Sequence, residues 1–162
     1  MVTNTLGTTT ARDDRWSAGA RWLAESTSHP TDVLTAWSSG TLATIQVPDA
    51  WSIVEARLPD SMEALPLLSR ARRLGPVLAY PERELAWWLV PPTAAEHLGD
   101  HAPRIVVHDA GWQMKCPALG DYLHGCGWLE KPDGSGTLTD PVMLGAALSH
   151  AQAPRSSRGS AR

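Results

Sequence analysis

The sequence predicts an α+β domain with a mixed β-sheet of about five strands packed against helices. Three observations point there. Helical and alternating apolar periods succeed one another along the chain, turn and cap signals separate them, and no internal repeat intervenes. The resulting order, α-α-β-β-α-β-β-α-β-loop-α, does not suit an all-helical bundle or a strictly alternating parallel α/β fold. At 162 residues and 17.5 kDa the chain can bury one real core.

Asp14 can cap a first helix running to about Ser26, with Trp16, Ala20 and Leu23 on one face. Pro30 opens a second helix in which Val33, Leu34 and Trp37 share a face, and Gly40 ends it. Leu42–Val47 and Trp51–Arg57 read as strands around a Pro48-Asp49 turn. Asp60-Ser61-Met62-Glu63 resembles a capping box for a helix to Leu74, with Pro66 near its first turn and Gly75 as the residue that ends it. Val77–Tyr80 and Leu85–Val90 are two further strands across the charged turn 81–84. Thr93–Leu98 is a short helix and Arg104–His108 a fifth strand. Residues 109–137, rich in Gly and Pro, are expected to be irregular and anchored by Tyr122 and Trp128. Thr139-Asp140-Pro141 starts a last helix to about Gln152. Residues 1–13 and 153–162 are polar and aperiodic, so a flexible arm and a flexible basic tail flank one domain over 14–152.

Charge excludes one class of function. The formal charge is −3, and all 17 acids precede residue 151 with only 11 of the 14 bases, leaving that stretch at −6. Arg155, Arg158 and Arg162 of the tail supply the difference. A duplex-wrapping surface needs clustered cations, and the folded part has one such cluster, Arg70–Arg73. The expected partner is therefore a protein before bulk duplex DNA. No apolar run approaches the roughly 18 residues of a membrane span, and no apolar leader is visible at the N-terminus. Two cysteines make no disulfide framework, so a reduced cytoplasmic setting is expected, without a membrane partner.

Motifs for chemistry are sparse. There is no dinucleotide fingerprint, no phosphate-cradling loop and no G-x-S-x-G nucleophile. His108, Cys116, His124 and Cys126 offer a set of zinc-type donors, although Cys116 and Cys126 lie too far apart for a knuckle; buried thiols and partly exposed histidines are the other reading. Two-metal nucleotidyl transfer needs carboxylates at alternate positions of a strand, and Trp51–Arg57 provides Glu55 and Arg57 instead, an acid beside a cation. Of the eight tryptophans, most fall in apolar-periodic segments and belong to the core. Trp87 and Trp88 must point to opposite faces of a strand, which leaves Trp88, with Trp112, as a candidate stacking platform for a single strand, assisted by the arginines of the tail.

Five segments in this order carry a resemblance: Trp37-Ser38-Ser39-Gly40, the strand Trp51–Ala56, Leu74-Gly75-Pro76-Val77, Ala86-Trp87-Trp88-Leu89-Val90-Pro91-Pro92, and Asp133-Gly134-Ser135-Gly136-Thr137-Leu138-Thr139-Asp140-Pro141. Together they resemble short actinobacterial proteins related to the bifunctional DNA primase/polymerase N-terminal domain, of the archaeo-eukaryotic primase superfamily, over roughly residues 16–151. The resemblance implies an RRM-like core whose sheet bears an acidic strand motif and a later aspartate serving a pair of Mg²⁺ or Mn²⁺ ions, and a histidine strand whose histidine contacts nucleotide phosphate. Carried onto this chain, those positions fall on Glu55 and Arg57, on Leu85 where the histidine would stand, and on Asp100. A lone Glu55, even helped by Asp100, holds two hydrated ions poorly. The resemblance thus implies a primase/polymerase-like scaffold that has lost nucleotidyl transfer, needs no cofactor and serves as a regulatory or protein-interaction module. A single-stranded nucleic-acid or nucleotide binder and a divergent metal-dependent polymerase are the alternatives.

Overall fold

The structure, a computed structural model, describes residues 16–98 and 104–153. The flanking arm, most of the basic tail and Asp100 lie outside the described residues. Among the described residues, five α-helices and two antiparallel sheets make an α+β domain. The elements are α1 (Ala18–Glu25), α2 (Pro30–Ser38), β1 (Ala43–Gln46), β2 (Ser52–Arg57), α3 (Leu58–Arg70), β3 (Val77–Tyr80), β4 (Leu85–Val90), α4 (Ala94–Leu98), β5 (Val106–His108), β6 (Gln113–Cys116), β7 (Tyr122–Leu123), β8 (Cys126–Glu130) and α5 (Pro141–Gln152).

The larger sheet has the order β5-β2-β4-β3-β8-β7, and β1 pairs with β6 in a separate two-stranded ribbon. Within the larger sheet, β2-α3-β3-β4-α4-β5 with the spatial order β5-β2-β4-β3 is the split βαββαβ arrangement, which is the RRM-like core. Every pairing is antiparallel, where a mixed sheet was expected. The split arrangement explains this: each crossover helix skips a strand position, and the vacant position is filled by a strand of opposite direction.

Strand alternation sorts the core into two layers. Val54, Ala56, Ala86, Trp88 and Val90 face Ala64 and Leu68 of α3, Ala94 and Leu98 of α4, and Leu144 and Leu148 of α5. Ile53, Leu78, Trp87 and Leu89 face α1, α2 and the β1–β6 ribbon, through Leu23, Val33, Trp37, Ile45 and Met114. The β-branched and aromatic residues of β2 and β4 are therefore covered on both sides, which is why these two strands read as continuous apolar runs.

Several local expectations need correction. Residues 109–137 are not irregular: they contain β6, β7 and β8, short strands whose pattern is broken by turns at positive-φ residues including Gly111, Gly120 and His124. The cap of α1 is Ser17, whose Oγ accepts from the Ala20 N–H at 3.2 Å; Asp14 lies outside the described residues. Asp60 does not cap α3, which begins two residues earlier at Leu58; its side chain is buried in the first turn. Pro66 sits in the interior of α3, on its solvent side, rather than near its start. That helix ends at Arg70 with Ala71 as its cap, and Arg72 at φ 55°, not Gly75, supplies the left-handed turn. Gly75 has a different duty: a Cβ there would lie 2.6 Å from the Thr139 nitrogen, so its bareness lets residues 73–76 press against the strand-like entry to α5. Two hydrogen bonds fasten that contact, Gly75 N–H to Thr139 Oγ1 at 2.9 Å and Asp140 N–H to Arg73 O at 3.0 Å. Asp140 caps α5 with Pro141 at its first position, as the sequence predicts.

Candidate functional site

On the sheet face opposite α3, α4 and α5, registry decides which side chains meet. Glu55 lies opposite Trp87 of β4 and Val106 of β5, and Arg57 lies opposite Leu85. Directly opposed residues of an antiparallel pair point to the same face. Glu55, Arg57 and Leu85 therefore do share one face, and they occupy its less covered end: Arg57 is exposed and Leu85 and Glu55 are half-buried.

Glu55 is not a free ligand. Its Oε1 accepts from Trp87 Nε1–H at 3.0 Å and lies 3.3 Å from His108 Nε2, an ion pair whenever that imidazole is protonated. His108 reaches it diagonally, from the position opposite Ile53. The imidazole in turn lies flat on the Trp112 indole, with centroids 3.8 Å apart and planes 9° from parallel. Trp112 meets Trp87 edge-on at 5.3 Å, and Trp87 meets Tyr80 at 5.6 Å. The Arg83 guanidinium stands 5.8 Å from the centre of the Tyr80 ring. A continuous run thus crosses the sheet from β5 to β3: His108, Trp112, Trp87, Tyr80, Arg83, with Glu55 beneath its first members.

Trp112 reaches this run from a loop, and the loop is fixed at both ends. Val47 N–H donates to Trp112 O at 2.8 Å, Gly111 N–H donates to Val47 O at 2.9 Å, and Ser52 Oγ donates to Asp109 Oδ1 at 3.2 Å. The tight turn 109–112 is thereby tied to β1 and β2. Behind it opens a cleft of about 520 Å³, walled by hydroxyl, amide and carboxylate groups of Ser26, Thr27, Ser28, Gln46 and Asp49.

The donor set does not fit a pair of divalent ions. Among the described residues it contains one carboxylate, which already accepts from an indole and lies 3.3 Å from an imidazole nitrogen, with the Arg57 cation two positions along the strand and an aliphatic Leu85 opposite that cation. Hard, doubly charged ions need several oxygen donors and repel a guanidinium. Among the described residues no group of three His, Cys, Asp or Glu side chains stands where it could hold a metal ion.

The zinc-type set is likewise not assembled. His108 is stacked on Trp112, and His124 is exposed at φ 49°, on the turn between β7 and β8. Cys116 and Cys126 are free thiols inside the apolar layer beneath α1 and α2. Burial holds the Cys116 thiol well above its ordinary value, reinforced by Cys126, and pushes Cys126 up to about 11. Both therefore remain protonated thiols, the form that binds metal least. Trp88 is corrected too: it is fully buried in the other layer, its Nε1–H donating to Ser61 Oγ at 3.0 Å, so it offers no face to a base. Trp112 keeps a half-buried ring in the site. Arg155, Arg158 and Arg162 lie outside the described residues.

Sequence reasoning named Glu55, Trp112 and His108 separately and did not join them. Trp87, Tyr80 and Arg83 were missed as site residues. Alternation could have placed Glu55 and Trp87 each on a face, but only strand registry makes them neighbours. No family model, curated protein or solved structure matches this chain. Among the described residues no helix is long and apolar enough to cross a membrane.

Proposed function

We propose that this chain is a non-catalytic interaction module, a primase/polymerase-like scaffold whose sheet face serves recognition rather than nucleotidyl transfer. The observation that carries the reading is the state of Glu55. Of the two acids at the resemblance's ligand positions, Asp100 lies outside the described residues, and Glu55 is tied to Trp87 and His108, with Arg57 as its strand neighbour on the same face. Phosphoryl transfer depends on placing and neutralising charge, and a hydrogen-bonded carboxylate beside a cation contributes little to either. The test is template-directed synthesis by the purified full chain with nucleoside triphosphates and Mg²⁺ or Mn²⁺. No primer and no extension is the expected result. Product that needs nucleotide and disappears in Glu55→Ala would overturn it.

One specific observation favours a second reading, in which the recognised partner is a single-stranded nucleic acid. The His108-Trp112-Trp87-Tyr80 run ends in Arg83, and Arg57 stands on the same sheet face, so an aromatic run has cations at one end. Stacking contributes about 1–3 kcal/mol per base where a ring is accessible. Fluorescence anisotropy with a labelled oligothymidylate tests it. Binding that weakens steeply with salt and falls in both Trp112→Ala and Arg57→Ala supports this reading; no change at low salt removes it.

A further inference from the structure

On the opposite side of the domain, the α3–α5 end carries charge and apolar surface that the sheet-face site does not use. Arg70, Arg72 and Arg73 are all exposed, and among the described residues none of the three has an ion-pair partner. Asp140, the acid tied to this turn through its backbone, is occupied: its Oδ1 caps α5 by accepting from Val142 N–H and Met143 N–H. Glu63, further back on α3, already has a partner of its own. Three like charges within four residues repel one another, and the backbone that carries them is fastened. Arg72 adopts φ 55°, and the residues that follow are fastened by the Asp140-to-Arg73 and Gly75-to-Thr139 hydrogen bonds.

Apolar surface adjoins these cations. Leu67, one turn before Arg70, is 41% exposed, and Val142, two residues after Asp140, is 59% exposed. Met62, on the outward side of α3 with Pro66, is 51% exposed. Leu67 and Val142 stand open next to the three guanidinium groups, with Met62 about two turns back along α3, and together they offer a surface with two chemistries. The guanidinium forks suit carboxylates, and Leu67, Met62 and Val142 suit aliphatic or aromatic side chains.

We propose that the α3–α5 end of the domain is a docking surface for an acidic, amphipathic protein segment, its carboxylates meeting Arg70, Arg72 and Arg73 and its apolar residues covering Leu67, Val142 and Met62. Charge complementarity argues for this occupant. A phosphate backbone would satisfy the arginines and leave the apolar side chains uncovered, and the net −6 of residues 1–150 repels an extended polyanion beyond this patch. The surface is separate from Glu55 and its neighbours, so the proposal stands independently of what the sheet face binds.

The experiment measures anisotropy of three labelled probes with the full chain at low salt: a peptide alternating Glu and Leu pairs, an oligoglutamate of equal charge, and an oligothymidylate of equal charge. The Glu/Leu peptide is expected to bind best, and Arg70→Ala/Arg72→Ala/Arg73→Ala to weaken it by about tenfold, the sum of three rim charges. Leu67→Ser is expected to weaken the Glu/Leu peptide while leaving oligoglutamate unchanged, a difference that a purely electrostatic patch would not produce. Arg72→Gly keeps the turn and removes one charge, so a weaker complex with unimpaired folding supports docking even if the triple variant does not fold. Tighter binding of the oligothymidylate, no peptide binding at low salt, or indifference to Arg72→Gly and Leu67→Ser would each overturn the proposal.

Discussion

Trp87 donates its indole N–H to Glu55 across the paired strands β2 and β4, at 3.0 Å. The indole is nearly buried, at 6% exposure, so this acceptor cannot be replaced freely by water. Glu55→Ala should therefore cost about 1–3 kcal/mol, the penalty for stranding a buried donor. Glu55→Gln retains an oxygen at the same reach and should cost less. Urea unfolding of the two variants measures the difference; equal losses would show that the contact is incidental.

Trp88 and Ser61 make the matching contact in the other layer, and both are fully buried. Ser61→Ala leaves an indole N–H without an acceptor and should destabilise by about 1–3 kcal/mol. Trp88→Ala opens a large cavity between β4 and α3 and should lose about 3–5 kcal/mol. Denaturant midpoints with an unchanged slope distinguish these losses from a change in cooperativity.

Gly19 offers a prediction whose sign runs against helix propensity. Glycine to alanine inside a helix ordinarily stabilises by about 0.5–1 kcal/mol. Here a Cβ would lie 1.7 Å from the Pro132 carbonyl oxygen, a backbone atom that cannot swing aside. Gly19→Ala should destabilise, by about 1–3 kcal/mol as for other overpacked sites. A raised melting temperature would mean that α1 and residues 132–134 are not in contact.

Arg72 predicts the opposite outcome. It holds φ 55°, a region that costs an L-residue about 1–2 kcal/mol and glycine nothing comparable. Arg72→Gly should therefore raise the melting temperature, unless its added freedom in the unfolded chain cancels the gain. A fall would show that the Arg72 side chain stabilises the turn, contrary to its lack of an ion-pair partner among the described residues.

The two thiols set a limit at alkaline pH. Both are raised by burial, Cys126 from 9.0 to about 11, so the folded protein holds its thiol protons where the unfolded chain releases them. With fewer protons bound in the unfolded state, stability falls as pH rises. The stabilising difference is fully present below about pH 9 and shrinks from there to about pH 11 for Cys126. Cys116→Ala/Cys126→Ala should flatten that decline in chemical denaturation curves. At mildly alkaline pH, a thiol reagent should label the unfolded protein promptly and the folded protein slowly.

Much of the architecture was legible before any coordinates. Asp140-Pro141 at the start of α5, Pro30 at the start of α2, the 81–84 turn and the apolar runs of β2 and β4 are local signals, and local signals act through backbone preferences that each residue carries with it. Leu58-Pro59 as the true start of α3 was hidden by Asp60-Ser61, which fits a cap in isolation but is buried against the sheet instead. β6, β7 and β8 were hidden because two- to five-residue strands among glycines show too little period to recognise.

What the sequence determined alone was the α+β class, the order of most elements and which residues of β2 and β4 share a face, because propensity and periodicity are properties of neighbours in the chain. What tertiary structure decided was which faces meet. Glu55 became a partner of Trp87 and His108 only when three strands took one register, and His108 found Trp112 only when a tied loop folded over β5. Trp88 was withdrawn from solvent by helices distant in sequence, Leu68 of α3 and Leu148 of α5 among them. Contacts of that kind depend on which segments pack side by side, and no local pattern of residues encodes that.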